Sequence, residues 1–343
     1  METSRRNFIL TMAGAATAPM LVAANAIPAN AQAAAGDGLK LMSFAFKDSP
    51  APRVGAVQAD GSIIDLAAEA AKRGATLGFD PGNMISLIAA GDKGVAQARD
   101  LAKDPKSAAL QLADIRHLAP IPNPQRNVYC VGWNYLEHFA EGEAARMTDN
   151  KIPEHPVFFT KCTHCVNGPY DSIPFDPKVS EMIDWEGELA VIIGKKGRNI
   201  GEADALDYVF GYCVINDTTA RDVQNKRHGG QWFKGKSLDG HGPMGPWIVE
   251  KSALNYDDLH LVTRINGAAK QDASTSQMYF KVPRIIAELS LGLTLEAGDI
   301  IATGTPPGVG FARKPPEFMK PGDIMETEIT GIGMIRNEIK AVG

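Results

Sequence analysis

Three prolines in five residues, Pro120-Ile121-Pro122-Asn123-Pro124, do more than any other feature to limit how this chain can fold. Proline fixes φ and lacks an N–H, so such a run continues neither a helix nor the middle of a sheet and makes a stiff, extended connection. Patterning differs on its two sides. Before it, an Asp60-Gly61 turn joins strand-like runs at 53–57 and 62–65, a strong hairpin signal. Helical periodicity follows over 66–73, 84–90 and 95–103. After it, strand-like runs dominate, at 128–132, 189–193, 208–215, 261–265, 299–303 and 324–339, with one clear helix over 283–291 stopped by Gly292. The expected organisation is a small N-terminal α/β domain over 39–118 and a β-rich domain over 126–341, α+β in class and too irregular for alternating βαβ units.

The first residues belong to neither part. Paired Arg5-Arg6, an apolar stretch and the small-x-small sequence Ala29-Asn30-Ala31 are the three components of a cleavable secretory signal, expected over 1–33. Ser4-Arg5-Arg6-x-Phe8-Ile9-Leu10 resembles the twin-arginine signal, which exports folded proteins, so the expected location is the periplasm, with membrane contact only during export. Gly14, Pro19, Asn25 and Pro28 interrupt the stretch, so a spanning helix of about 20 apolar residues is not expected there. With 35 Lys+Arg against 40 Asp+Glu, a net charge of −5 and no long basic run, nucleic acid is not an expected partner. Of four cysteines, Cys130 and Cys213 lie in apolar runs, as buried thiols do. Cys162 and Cys165 form Cys-Thr-His-Cys, the spacing of a redox pair or half a zinc site, and no second ligand pair is spaced to complete the latter. They are expected to be inert or to form an adventitious disulfide.

Four stretches carry chemistry-bearing residues. Asp184-Trp-Glu186-Gly-Glu188 leads into an apolar run, and on an extended strand Glu186 and Glu188 share a face, with Asp184 able to join them. Two such carboxylates repel unless a cation or proton intervenes. With Asp217, at the end of another apolar run, they make an all-oxygen set suited to Mg²⁺ or Mn²⁺ and poorly to zinc; a solvated acidic edge is the plainer alternative. In 132–141, a helix after Asn134 puts His138 and Glu141 three apart on one face, the arrangement of a carboxylate-supported general base or of a surface pair. Lys236, in Trp232-Phe-Lys-Gly-Lys236, offers a cation for a substrate carboxylate or a developing oxyanion, an exposed lysine being the plainer alternative. The loop Thr303-Gly-Thr305-Pro-Pro-Gly308-Val-Gly310 permits close backbone approach to an anion, without the spacing of a nucleotide loop.

Their order and wording resemble the fumarylacetoacetate hydrolase family. The resembling blocks are Gly132-x-Asn-Tyr-x-x-His138-x-x-Glu141, Pro156-Val-Phe-Phe-x-Lys161, Asp184-x-Glu186-x-Glu188, Asn216-Asp217-x-Thr-Ala-Arg221-Asp-Val-Gln224, Lys236-Ser237, Gln271-Asp272 and Thr303-Gly304-Thr305-Pro306. The resemblance implies a mixed β-sandwich roll, commonly a homodimer, with Mg²⁺ or Mn²⁺ held by Glu186, Glu188 and Asp217. It implies a small oxo-acid substrate, with Arg221, Gln224 and Thr305 holding its carboxylate and oxo groups. The reading preferred at this stage is hydrolysis of a carbon-carbon bond in a 2,4-diketo acid or acylpyruvate, His138 and Glu141 activating water and Lys236 aiding the enolate. The alternatives are an oxaloacetate-type decarboxylase or enol-keto isomerase on the same site, and a non-catalytic exported binder. One departure is Leu238-Asp239-Gly240-His241 after Lys236-Ser237, where the family commonly has Phe-Asp-Thr; it brings an extra imidazole near the site.

Overall fold

A computed structural model describes residues 38–146 and 151–342. The expected signal segment lies outside the described residues. The N-terminal strands are β1 (Lys40–Phe46), β2 (Arg53–Val57), β3 (Ile63–Asp65) and β4 (Ile115–His117). Gly61, at φ 83°, closes the β2–β3 hairpin. Helix α1 (Leu66–Arg73) starts at Asp65, whose carboxylate caps two amides, and ends at Gly74 in the left-handed region. Helices α2 (Met84–Ala89) and α3 (Gly91–Lys103) follow.

After the proline run come β5 (Val128–Gly132), α4 (Leu136–Arg146) and β6 (Val157–Lys161). Short strands β7 (Val166–Asn167), β8 (Ile173–Phe175) and β9 (Ile183–Asp184) lead to β10 (Gly187–Ile193) and β11 (Val209–Asn216). Next are β12 (Thr219–Ala220), α5 (Arg221–Lys226), α6 (Phe233–Lys236) and β13 (Gly242–Glu250). The chain finishes through β14 (His260–Ile265), β15 (Ala268–Ser274), α7 (Val282–Ser290), β16 (Ile300–Ala302), β17 (Ile324–Ile329) and β18 (Gly333–Ala341).

The large sheet is ordered β3-β2-β1-β13-β11-β10-β16-β5-β6 and is mixed, because β16 and β5 run parallel while β10 runs antiparallel to both its neighbours. A five-stranded sheet, β15-β14-β17-β18-β8, faces it. Leu189, Val191 and Ile193 of β10 enter the core with Leu261, Ile329 and Ile335 of that second sheet and with α7. Alternate residues Ala190 and Ile192 enter the opposite core with Leu87 and Ile88 of α2. Both faces of β10 are thus buried, so the strand reads as a continuous apolar run. The result is the α+β mixed sandwich that the resemblance implies. Among the described residues, no helix is long and apolar enough to cross a membrane.

Candidate active site

The ends of β5, β11 and β16 and the start of β10 lie together, and the chemistry gathers there. The β10 strand begins at Gly187, so Glu186 sits in the link from β9 rather than on the strand. Asn216 fixes that link: its Oδ1 accepts from the Glu186 amide at 3.0 Å, and its Nδ2 donates to Thr327 Oγ1 at 3.0 Å. The Asp217 amide donates to the Glu186 carbonyl at 2.8 Å. Gly187 must be glycine, since a Cβ there would lie 2.2 Å from Thr263 Oγ1. Glu186, Glu188 and Asp217 consequently converge, offering one oxygen each within 4.8 Å of one another, all buried.

Their charge is only partly balanced by protein. Lys161 donates to Asp217 Oδ1 at 2.8 Å, and Lys236 to Asp217 Oδ2 at 2.7 Å and to Glu186 Oε2. Arg221 meets Glu186 Oε1 at 2.7 Å and donates to Asp184 Oδ2 at 2.7 Å. Four buried acids therefore face three buried bases. Burial raises the Glu186 carboxyl, but Lys236 and Arg221 outweigh it and hold this group below the usual carboxylate range. Burial, Asp217 and Glu186 together push Glu188 well above that range, although the Gly304 amide donates to it at 2.8 Å. Burial alone would lower Lys161; its partner Asp217 raises it instead. A buried all-oxygen donor set whose negative charge the surrounding lysines and arginine only partly balance fits a hard divalent cation.

Asp184 does not join this group. It takes the amides of Gly310 and Phe311 at 2.7 and 3.0 Å together with Arg221, so it fixes the 303–310 loop and the guanidinium.

Helix α4 places His138 and Glu141 as the spacing predicts, with His138 Nδ1 2.9 Å from Glu141 Oε1. Glu141 is itself held by the Gly308 amide at 3.0 and 2.9 Å. Gly308 has φ +106°, and a Cβ there would lie 2.1 Å from the Lys270 carbonyl oxygen, so this contact requires glycine. With Nδ1 turned to the carboxylate, the other nitrogen is left for the cavity.

That cavity is lined by His138, Glu186, Glu188, Arg221, Gln224, Lys236 and Thr305, which are seven of the nine predicted site residues. Glu141 and Asp217 do not line it; Glu141 bonds His138, and Asp217 bonds Lys161 and Lys236. Arg221 Nη1 donates to Gln224 Oε1 at 3.1 Å, and Thr305 Oγ1 donates to the Gly187 carbonyl at 3.0 Å while accepting from Gln271 at 2.7 Å. The remaining wall is aromatic: Trp133 and Trp232 pack edge-on at 5.1 Å, and Phe159 meets Trp232 at 5.2 Å. His241 lies outside this cavity, its Nε2 on the Pro174 carbonyl at 2.8 Å. All four cysteines are free thiols.

Sequence reasoning left out Lys161, Gln271 and the aromatic wall as site parts. Lys161 and Gln271 stand inside blocks already singled out. A lysine ending an apolar run such as Val157–Lys161, with carboxylates needing balance elsewhere, was the available signal.

A mixed sandwich enclosing carboxylates, lysines and a carboxylate-held imidazole in one small cavity is the architecture of an enzyme for small molecules. The chain belongs to the fumarylacetoacetate hydrolase family: the model of the fumarylacetoacetate (FAA) hydrolase C-terminal family matches residues 127–340. It is 46% identical over 294 residues to oxaloacetate tautomerase YisK of Bacillus subtilis, covering 83% of this chain and 95% of that relative. It is 40% identical over 306 residues to the mitochondrial oxaloacetate tautomerase fahd2 of Xenopus laevis, covering 88% and 90%. Among solved structures, the fumarylacetoacetate hydrolase of Exiguobacterium antarcticum superposes with a TM-score of 0.72 at 38% identity, covering 89% of this chain and all of that one. The two tautomerase relatives favour the oxaloacetate-type alternative over the carbon-carbon hydrolase preferred from sequence.

Proposed function

We propose that this chain interconverts the enol and keto forms of oxaloacetate or a closely similar 2-oxo acid, with Mg²⁺ or Mn²⁺ held by Glu186, Glu188 and Asp217. The observation that carries the reading is the His138–Glu141 pair opening onto the cavity that the carboxylates floor. A divalent cation bound there supplies Lewis acidity toward the 2-oxo group and fixes its orientation. His138 takes the proton from C3, and Glu141 holds the imidazole in the tautomer that can accept it. One proton leaves C3 and one arrives on the C2 oxygen, so the reaction consumes no water. This is where it departs from hydrolysis, which asks the same base to activate a water.

Charge supports an anionic substrate. With a divalent cation bound and all four acids ionised against three bases, the cluster carries one surplus positive charge. A dicarboxylate is attracted to that site, with Gln224 and Arg221 beside it for a carboxylate. Following the enol absorbance of oxaloacetate with purified protein and Mn²⁺ tests this, and pyruvate release or cleavage of an acylpyruvate in its place would favour decarboxylation or hydrolysis.

Two further proposals rest on resemblance. The chain is a homodimer, which light scattering on the purified protein checks. Its 1–33 segment directs export of the folded, metal-loaded protein to the periplasm, which cell fractionation with Arg5-Arg6 replaced by lysines checks.

A further inference from the structure

Cys162-Thr-His164-Cys165 is the one sequence motif that the proposed function leaves unused, and it follows directly on Lys161. Its residues form a tight turn, with the Cys165 amide donating to the Cys162 carbonyl at 3.1 Å. A turn closed this way keeps its end Cα atoms within about 7 Å, and a disulfide spans roughly 4.4–6.8 Å. Cys162 is half-buried and Cys165 is buried. Among the described residues no His, Asp or Glu joins the two sulfurs in a metal-sized cluster, so zinc does not account for the pair.

The turn is tied to the segment that carries Lys236. The Cys162 amide donates to Ser237 Oγ at 3.0 Å, the Cys162 thiol to the Ser237 carbonyl at 3.4 Å, and the Gly240 amide to the His164 carbonyl at 3.0 Å. Lys161 and Lys236, each one residue from these contacts, are the two lysines that hold Asp217. A surface cleft of about 330 Å³ is lined by Ser237, Leu238, Asp239 and His241, on the segment to which this turn is tied.

We propose that Cys162 and Cys165 are a redox-active dithiol whose oxidation to an intramolecular disulfide weakens the metal-carboxylate cluster. The Cys162 sulfur attacks a low-molecular-weight disulfide, whose S–S bond breaks and releases one thiol. The Cys165 sulfur then displaces the second thiol, closing the Cys162–Cys165 bond. Both sulfurs of the small disulfide are reduced, and they carry off the electrons and protons of the two cysteines. Turning the Cys162 sulfur toward Cys165 breaks its bond to Ser237, and the backbone under both lysines moves relative to Asp217.

The test uses the full chain, incubated with oxidised glutathione, then denatured, alkylated and mapped by mass spectrometry, with Mn²⁺ binding measured by calorimetry before and after. The expected result is a cross-linked Cys162–Cys165 peptide, alkylated Cys130 and Cys213, and Mn²⁺ affinity weakened about tenfold and restored by dithiothreitol. In Cys165→Ser, glutathione is retained on Cys162. Four alkylated cysteines, glutathione stopping on Cys162 in the unaltered chain, or a disulfide that leaves Mn²⁺ affinity unchanged would each overturn the proposal. Mn²⁺ binding is read directly, so the outcome does not depend on tautomerase activity.

Discussion

At the scale of single residues, the account turns on buried charges that are stable only in company. Glu188 is pushed well above the carboxylate range by burial, Asp217 and Glu186, so a cation entering the site competes with its proton. Below that raised pKa, apparent Mn²⁺ affinity should rise with pH by up to about tenfold per unit. Calorimetry in two buffers of different ionisation enthalpy should show about one proton released; no release would contradict the assignment. His138→Ala should lower turnover roughly 100- to 10,000-fold while Mn²⁺ affinity stays unchanged, since this side chain is not among the carboxylates. Glu186, Glu188 and the His138–Glu141 pair were legible because their spacing is local, and Asp217 because it ends an apolar run inside a resembling block. Lys161 and the actual use of Asp184 were not: Lys161 reaches Asp217 across 56 positions and Asp184 reaches Gly310 across 126, and no spacing rule spans such separations.

At the scale of elements, what could be read was what declares itself locally. Helix α1 carries its own cap in Asp65 and its own stop in Gly74. Strand β1 went unread because it is buried on both faces and shows no alternation. Strand β13 was hidden by Gly-Pro pairs that argue against a strand; a register shift opposite, between Tyr212 and Val214, accommodates them. Helix α1 also supplies a stability prediction. Burial raises its Glu69 carboxyl, but the Lys106 amide, Ser107 and Arg73 outweigh this and hold it at about 2. The folded value is below the unfolded one of about 4.3, so the stabilisation is complete above that pH and is lost as pH falls toward 2. Glu69→Gln should cost roughly 1–3 kcal/mol at neutral pH, a gap that narrows on acidification. Urea titrations at pH 7 and pH 3 check it, and an equal gap at both would contradict it.

At the scale of the whole molecule, β1 pairs with β13, and Leu41, Val54 and Leu87 share a core with Cys130, Ile192 and Ile248. A chain beginning at residue 126 would expose that apolar face and the β13 edge, and should aggregate where the full chain does not, as size-exclusion chromatography would show. Monomeric, folded behaviour of the shortened chain would contradict this. The overall sandwich was legible through its resembling blocks; the single sheet that joins the two sides of the proline run was not, because β1 and β13, the strands that join them, both went unread. The central claim is that one cavity combines a cation-binding carboxylate set with a His138 base to move a proton within a 2-oxo acid. Its most direct test is the rate at which enol-oxaloacetate absorbance decays with Mn²⁺ and the unaltered protein, His138→Ala, or Glu186→Gln. The account predicts rapid decay without pyruvate for the unaltered protein and near loss in both variants, only Glu186→Gln also losing Mn²⁺ affinity. Decay no faster than in buffer, or full activity in His138→Ala, would contradict it.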